Sequence, residues 1–286
     1  MPRHIFIYKL SIFAFLAAFF ACTNVADRDG RRSCVCAVLD VGEGLAQICA
    51  INGAAIAFDV GDTFAGNQWA SGYGRVGSPR INAIVISHTH QDHMGGLSHL
   101  PPALDFSGMI ITHPYEDTAY IRKIAGQWRQ DVYFKTIAQG DTIGGLEGVR
   151  VECIWPPRDI NAEVPLDDTL KNRYSLCCIL RYDNTSVIIT SDVDTFSERT
   201  LAAQYGETLA ADIIVVPHHG SAGSVDEVFY GYVNPSVAII SCGIANSYGF
   251  PTQKATDLLY QMKVTEMVTY SAGTIAAVSN GSYWTF

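Results

Sequence analysis

Short apolar runs at 34–40, 45–51 and 54–59, separated by glycine-containing turns, predict three consecutive antiparallel strands. The rhythm then changes to alternating elements. A buried-strand run at 83–87 is followed by a short helix at 95–100 and a strand at 109–112, and Tyr120, Ile121, Ile124 and Trp128 give 115–128 helical spacing. A second block follows with a similar alternation, placing strands at 149–155, 174–182 and 186–190, a helix at 195–204, a strand at 213–216 and a helix at 225–232. A strand at 237–241, a helix at 252–262 and closing strands at 267–270, 274–278 and 283–286 complete it. Two β-rich halves, each with helices, predict a single α/β (α+β) domain in which two sheets pack face to face and helices clad both outer faces. The least periodic stretch, 156–170, holds four acids and three prolines and reads as a long loop near the functional site.

The first 22 residues carry a different pattern. Arg3 and Lys9 precede an apolar run at 10–20, broken only by Ser11, and Ala21-Cys22 follows. A cationic start, an apolar centre too short to span a bilayer and a small residue at the end predict a secretory signal. The Ala21-Cys22 step resembles a bacterial lipobox, which implies acylation of Cys22 and a lipid-anchored protein on the periplasmic or cell-surface side. An uncleaved apolar anchor over 5–22 is the alternative. Residues 23–33 are polar and read as a tether, leaving 34–286 as the domain.

Composition narrows the partners. With 48% apolar and 16% charged residues the chain is globular, which excludes collagen-like, coiled-coil and disordered classes. Its net charge is −9, and without 1–22 it carries 17 basic against 28 acidic residues. Such a surface repels polyanions, so an anionic substrate needs a local cation. Beyond Cys22, seven cysteines lie in apolar stretches and form no CxxC pair; they read as small buried side chains, with one disulfide left open. No protein partner is indicated.

Five of the eight histidines fall in two clusters, His88, His90 and His93 in SHTHQDH and His218 and His219 in PHHGS. An HxHxDH string arises by chance about 4 times in 10,000 chains of this composition. Just after a strand, residues two apart project the same way, so His88 and His90 can hold one ion while Asp92 and His93 hold a neighbour. Asp59, Asp192 and His218 each follow an apolar strand as well. Together these groups supply donors for two metal ions, with Asp192 placed to bridge them.

HxHxDH with a later Asp and a later His resembles the metallo-β-lactamase superfamily, an αββα sandwich. LDVGEG at 39–44, FDVGDT at 58–63, SHTHQDHMGGL at 87–97, NRYSLCCILRY at 172–182, TSDVD at 190–194, PHHGS at 217–221 and NSYGFP at 246–251 resemble, in order, the hydrolase domain of ComEC-type DNA-uptake proteins. The resemblance implies His88, His90, Asp92, His93, Asp192 and His218 as metal ligands, with Asp59 orienting a ligand from behind and His219, Ser221 and Asn246 facing substrate. It also implies a pair of divalent ions, zinc or manganese.

The chain departs from that pattern at several places. No His lies between His113 and His218, so Asn172, or Asp167 or Asp168 before it, is expected to replace the usual third His and make one site oxygen-rich, which either favours a harder ion such as Mn²⁺ over Zn²⁺ there or leaves it weakly filled. Glu43, Leu45, Ser191 and Phe250 stand where ComEC-type domains usually have Gln, Asp, Gly and His. The expected activity is metal-assisted hydrolysis of an anionic small-molecule or nucleic-acid phosphodiester, with Asp92 accepting a hydrogen bond from the attacking water and His219 at the leaving group or phosphate. A lactam, thioester or phosphocholine ester as substrate, and a lipid-tethered binding module with an impaired site, stay open at this point.

Overall fold

The computed structural model describes residues 32–160 and 166–286. The predicted export segment, Cys22 and the tether as far as residue 31 lie outside the described residues, as do 161–165 of the acidic loop. Among the described residues no helix is long and apolar enough to cross a membrane.

Cys34–Val38 (β1), Ala46–Ile51 (β2) and Ala54–Val60 (β3) are β-branched, Ala- and Cys-rich, and nearly every position is buried. They therefore need cover on both faces. They pair antiparallel, and β3 then continues in parallel into Arg80–Val85 (β4), Met109–Thr112 (β5) and Tyr133–Thr136 (β6). Ile275–Ser279 (β14) and Trp284–Thr285 (β15) extend the other side, giving eight strands in the order β15-β14-β1-β2-β3-β4-β5-β6. The second sheet has seven. Thr142–Ile143 (β7), Val149–Trp155 (β8), Cys177–Tyr182 (β9) and Thr185–Ile189 (β10) are antiparallel, and Ile213–Val215 (β11), Val237–Ile240 (β12) and Thr265–Val268 (β13) join β10 in parallel.

Three apolar layers hold this together. Val38, Phe58, Val85, Leu180, Val215 and Ile239 belong to the cluster between the sheets. Trp69, Met94 and Ile121 pack outside the first sheet, and Leu201, Phe229 and Leu259 outside the second. Their helices include Gly66–Arg75 (α1), Gln91–Met94 (α2) and Thr118–Ala125 (α3) on one side. On the other lie Thr195–Tyr205 (α5), Glu227–Val233 (α6) and Gln253–Gln261 (α7). The predicted αββα sandwich is the fold observed.

Among the elements that escape the sequence pattern are α1, α2, β6, β7 and the short helix Asp168–Arg173 (α4). In α1 the sequence GNQWASGYGR looks like a turn. Gly72 is there because a Cβ would come within 2.5 Å of the Leu39 side chain. The run at 267–270 ends as strand at Val268 and turns into Thr269–Ala272 (α8). All seven cysteines among the described residues are free and buried, so the disulfide left open by the sequence does not form.

Parallel strands align their carboxyl ends. The exits of β3, β4, β10, β11 and β12 therefore meet at one rim, where a sheet of this kind receives ligands.

Candidate metal centre

Each strand exit delivers a polar group. Asp59 is the last residue but one of β3, Ser87 and His88 follow β4, Asp192 follows β10, and the 3₁₀ turn Pro217–Gly220 follows β11. His90 caps α2, whose first turn carries Asp92 and His93.

The imidazoles are fixed from behind. His93 Nδ1 donates to Asp59 Oδ2 at 2.8 Å, and the same carboxylate accepts from Ser87 N at 2.8 Å and Ser87 Oγ at 2.7 Å. Ser87 Oγ in turn accepts from His88 Nδ1 at 3.0 Å and from Ser191 Oγ at 2.6 Å. His219 Nδ1 donates to Ser241 O at 2.7 Å. With the proton of each ring committed backward, the three Nε2 lone pairs face inward, which is how protein carboxylates and carbonyls prepare metal-ligating histidines. Thr89, between His88 and His90, is clamped by buried Glu116, which accepts from its N at 3.2 Å and its Oγ1 at 2.6 Å.

Two groups of donors result. In the first, His93 Nε2 lies 3.2 Å from Asp192 Oδ1 and 3.8 Å from Asp92 Oδ2, while His219 Nε2 lies 3.4 Å from Asp92 Oδ2 and 3.8 Å from Asp192 Oδ1. Four ligands about 2.1 Å from a tetrahedral ion are themselves about 3.4 Å apart, so this quartet has the spacing of a metal site. In the second, Asp192 Oδ2 lies 4.0 Å from His88 Nε2 and 3.9 Å from His218 Nε2. The His90 ring packs edge-on against His88 at 4.6 Å, and the Asn172 amide is 3.5 Å from His218 Nε2. Asp168, largely exposed, stands 3.7 Å from His90 Nε2. Asp167 instead caps α4 through Leu170 N.

The partition of PHHGS differs from the sequence expectation. His219, expected on the substrate, is buried and closes the first quartet; His218 stands with the second group. Both residues have left-handed backbones, φ +49 and +54, which throw consecutive rings toward different donors. Asn246 also differs. Its Nδ2 donates to Gly243 O and Phe250 O and its Oδ1 accepts from Phe250 N, so its amide shapes a loop of the cavity wall. Ser221 flanks the mouth beside His218 and Asn172. Gly44, in the LDVGEG turn, lies against Asp92, where a Cβ would come within 2.4 Å of the Asp92 carbonyl.

Electrostatics follow from burial and neighbours. Burial holds the His88 pKa well below its ordinary value. Burial would lower His93 too, but Asp192, Asp92 and Asp59 outweigh it and raise this group. Burial pushes the Asp192 carboxyl up, yet His93 and His219 overcome that and hold it well below the usual range. Most telling are the buried atoms without a hydrogen-bond partner: His88 Nε2, His93 Nε2, His219 Nε2, Asp192 Oδ1 and Asn172 Oδ1. An orphaned buried polar atom costs about 1–3 kcal/mol, and five at one rim fit the cation that this donor set would bind. Sequence reasoning meets Ser191 only as a departure from the family pattern and does not reach Ser87, Ser241 or Glu116. Ser87 and Ser191 adjoin motif residues, whereas nothing in the sequence ties Ser241 or Glu116 to the site.

Imidazole and carboxylate donors on the carboxyl rim of an αββα sandwich define a metal-dependent hydrolase. The chain belongs to the metallo-β-lactamase superfamily, whose family model matches residues 60–243. It is 28% identical over 221 residues to competence protein ComA of Neisseria gonorrhoeae, covering 76% of this chain and 28% of that protein. It is also 28% identical over 200 residues to ComE operon protein 3 of Bacillus subtilis, covering 70% of this chain and 25% of that one. The chain thus spans about a quarter of the length of these relatives, and the resemblance to the competence-type hydrolase domain holds. Among solved structures it is similar in fold to the metallo-β-lactamase fold protein YhfI of Bacillus subtilis, with a TM-score of 0.56 at 10% identity over 86% of this chain and 100% of that one.

Proposed function

We propose that this protein hydrolyses phosphodiesters with two divalent cations, zinc or manganese, held at the rim. The convergence of five buried, unpartnered ligand atoms at one rim carries this reading; three of the residues that bear them, Asn172, Asp192 and His219, line a cavity of about 420 Å³. Asp92, His93, Asp192 and His219 would hold one ion, and His88, His90, His218 and Asp192 would hold the second, with Asn172 beside them. Three imidazoles with a carboxylate oxygen make that second group less oxygen-rich than the missing third His suggests, and suit Zn²⁺ as well as Mn²⁺.

A bound divalent cation supplies an acidified water at neutral pH and positive charge opposite phosphoryl oxygens. The chain's own residues do the rest. Asp59, Ser87 and Ser241 keep the imidazoles aimed inward, and Asp92 accepts a hydrogen bond from the attacking water and orients it. Among the described residues the cavity is lined by Glu43, Asp92, Asp168 and Asp192 and by no Lys or Arg. An anionic diester is therefore held through the cations, and substrate binding is tied to metal loading.

Metal-reconstituted protein is expected to turn over bis-p-nitrophenyl phosphate and leave nitrocefin intact. Asp192→Ala loses turnover and both metal equivalents, whereas His218→Ala and His219→Ala each lose one, read by elemental analysis after gel filtration. Preferred cleavage of nitrocefin, or full metal content in all three variants, overturns the reading. We infer further that the protein is exported and lipid-anchored; the Arg3/Lys9 flank, apolar run and Ala21-Cys22 step support this. Undiminished labelling by radioactive palmitate in Cys22→Ser sinks the anchor.

A further inference from the structure

Phe250 stands where the competence-type pattern has a His, and the site described above makes no use of it. Its ring lies nearly parallel to His219, centroids 6.2 Å apart and planes 17° apart, and nearly parallel to Tyr248 at 5.4 Å and 14°. His218 meets Phe250 edge-on at 5.8 Å. Three flat rings thus step outward from the metal centre, and the outermost, Tyr248, is 69% exposed. Both Phe250 and Tyr248 line the same cavity as Asp92, Asp192 and His219.

The step is built rather than incidental. Asn246 staples its loop at both ends through Gly243 and Phe250, and Ser247 N donates to Glu43 Oε1 at 3.3 Å. Thr252 then ties the loop to the histidine turn, its N and Oγ1 both donating to Gly220 O, at 2.9 and 2.8 Å. An aromatic shelf fixed to the turn that carries His218 and His219 keeps a set distance from any phosphate held at the metals. A ring held at a cavity mouth with one face open offers a flat apolar surface on which another ring can stack.

We infer that Tyr248 and Phe250 form a stacking platform for a nucleobase attached to the scissile phosphodiester. The inference rests on the phosphodiesterase reading, since the ring must arrive tied to phosphate. It names the substrate class within that reading: nucleotide diesters in preference to diesters of ringless alcohols. Stacking on one aromatic side chain contributes a factor of roughly ten in affinity, and does so with little regard to base identity because every base has a flat face.

The test measures binding, so that it is independent of turnover. Isothermal titration of the metal-reconstituted protein compares adenosine 5′-monophosphate with ribose 5-phosphate, which share phosphate and sugar and differ only in the base. The wild type is expected to bind the nucleotide roughly tenfold more tightly. Tyr248→Ala, a change at an exposed position, brings the ratio toward one, and Tyr248→Phe restores it. Equal affinity for the two phosphates in the wild type overturns the platform, as does a preference that Tyr248→Ala leaves intact. Failure to cleave bis-p-nitrophenyl phosphate sinks the phosphodiesterase reading instead, with the nucleotide preference still measurable.

Discussion

Ser191 holds a left-handed backbone, φ +48, where a glycine would sit without strain. Its hydroxyl offsets the cost by donating to Ser87 Oγ, the atom that also serves Asp59 and His88. Strain and hydrogen bond are each of about 1 kcal/mol, so Ser191→Gly is expected to melt near the wild type. Ser191→Ala keeps the strain, loses the bond and costs about 1 kcal/mol; a glycine variant as damaged as the alanine one would contradict this. At this scale the sequence is uneven in what it reveals. SHTHQDH is legible because its donors fall within one strand exit and one helical turn, and Asp59 because it ends an apolar run. The separate roles of His218 and His219 are not legible: they depend on two consecutive left-handed residues, a conformation histidine adopts without any signal in its neighbours.

Between α5 and α6 sits a carboxylate unrelated to the metals. Glu198 is fully buried; its Oε2 accepts from Asp226 N at 2.9 Å, while its Oε1 has no partner. Burial pushes its pKa from 4.5 up to about 8, with Asp226 and Asp194 adding to the rise and Lys254 opposing it. The native state therefore holds this proton more tightly than the unfolded chain, and stability drains as pH rises from about 4.5 to about 8. Glu198→Gln, neutral throughout, should raise the melting temperature by several degrees at pH 8 and hardly at all at pH 5; an equal shift at both values would show that burial does not govern this group. The elements themselves divide by the strength of their pattern. Met109–Thr112 and Val149–Trp155 lie where apolar runs put them. Tyr133–Thr136 is largely exposed at a sheet edge and lacks an apolar face, and α1 hides behind glycines demanded by close packing.

Across the whole molecule, alternation of β-rich and helical segments makes the four-layer arrangement legible, because a strand buried on both faces requires a partner sheet and a helical cover. Strand order is not written in any local stretch. It is set by pairings between residues far apart, as when Val35 meets both Ala50 and Val278. Those pairings decide which strand ends share a rim, and so which acids and imidazoles become neighbours. The seven buried thiols have a last consequence. Cys36 sits opposite Cys49 across β1 and β2, and hydrogen bonds to Cys34 and Cys49, together with burial, push its thiol well up. Sulfur so protonated and so far from water is a poor target for oxidants. The domain should therefore unfold at the same temperature with or without dithiothreitol, drawing its cohesion wholly from packing and equally fit for a reducing or an oxidising surrounding.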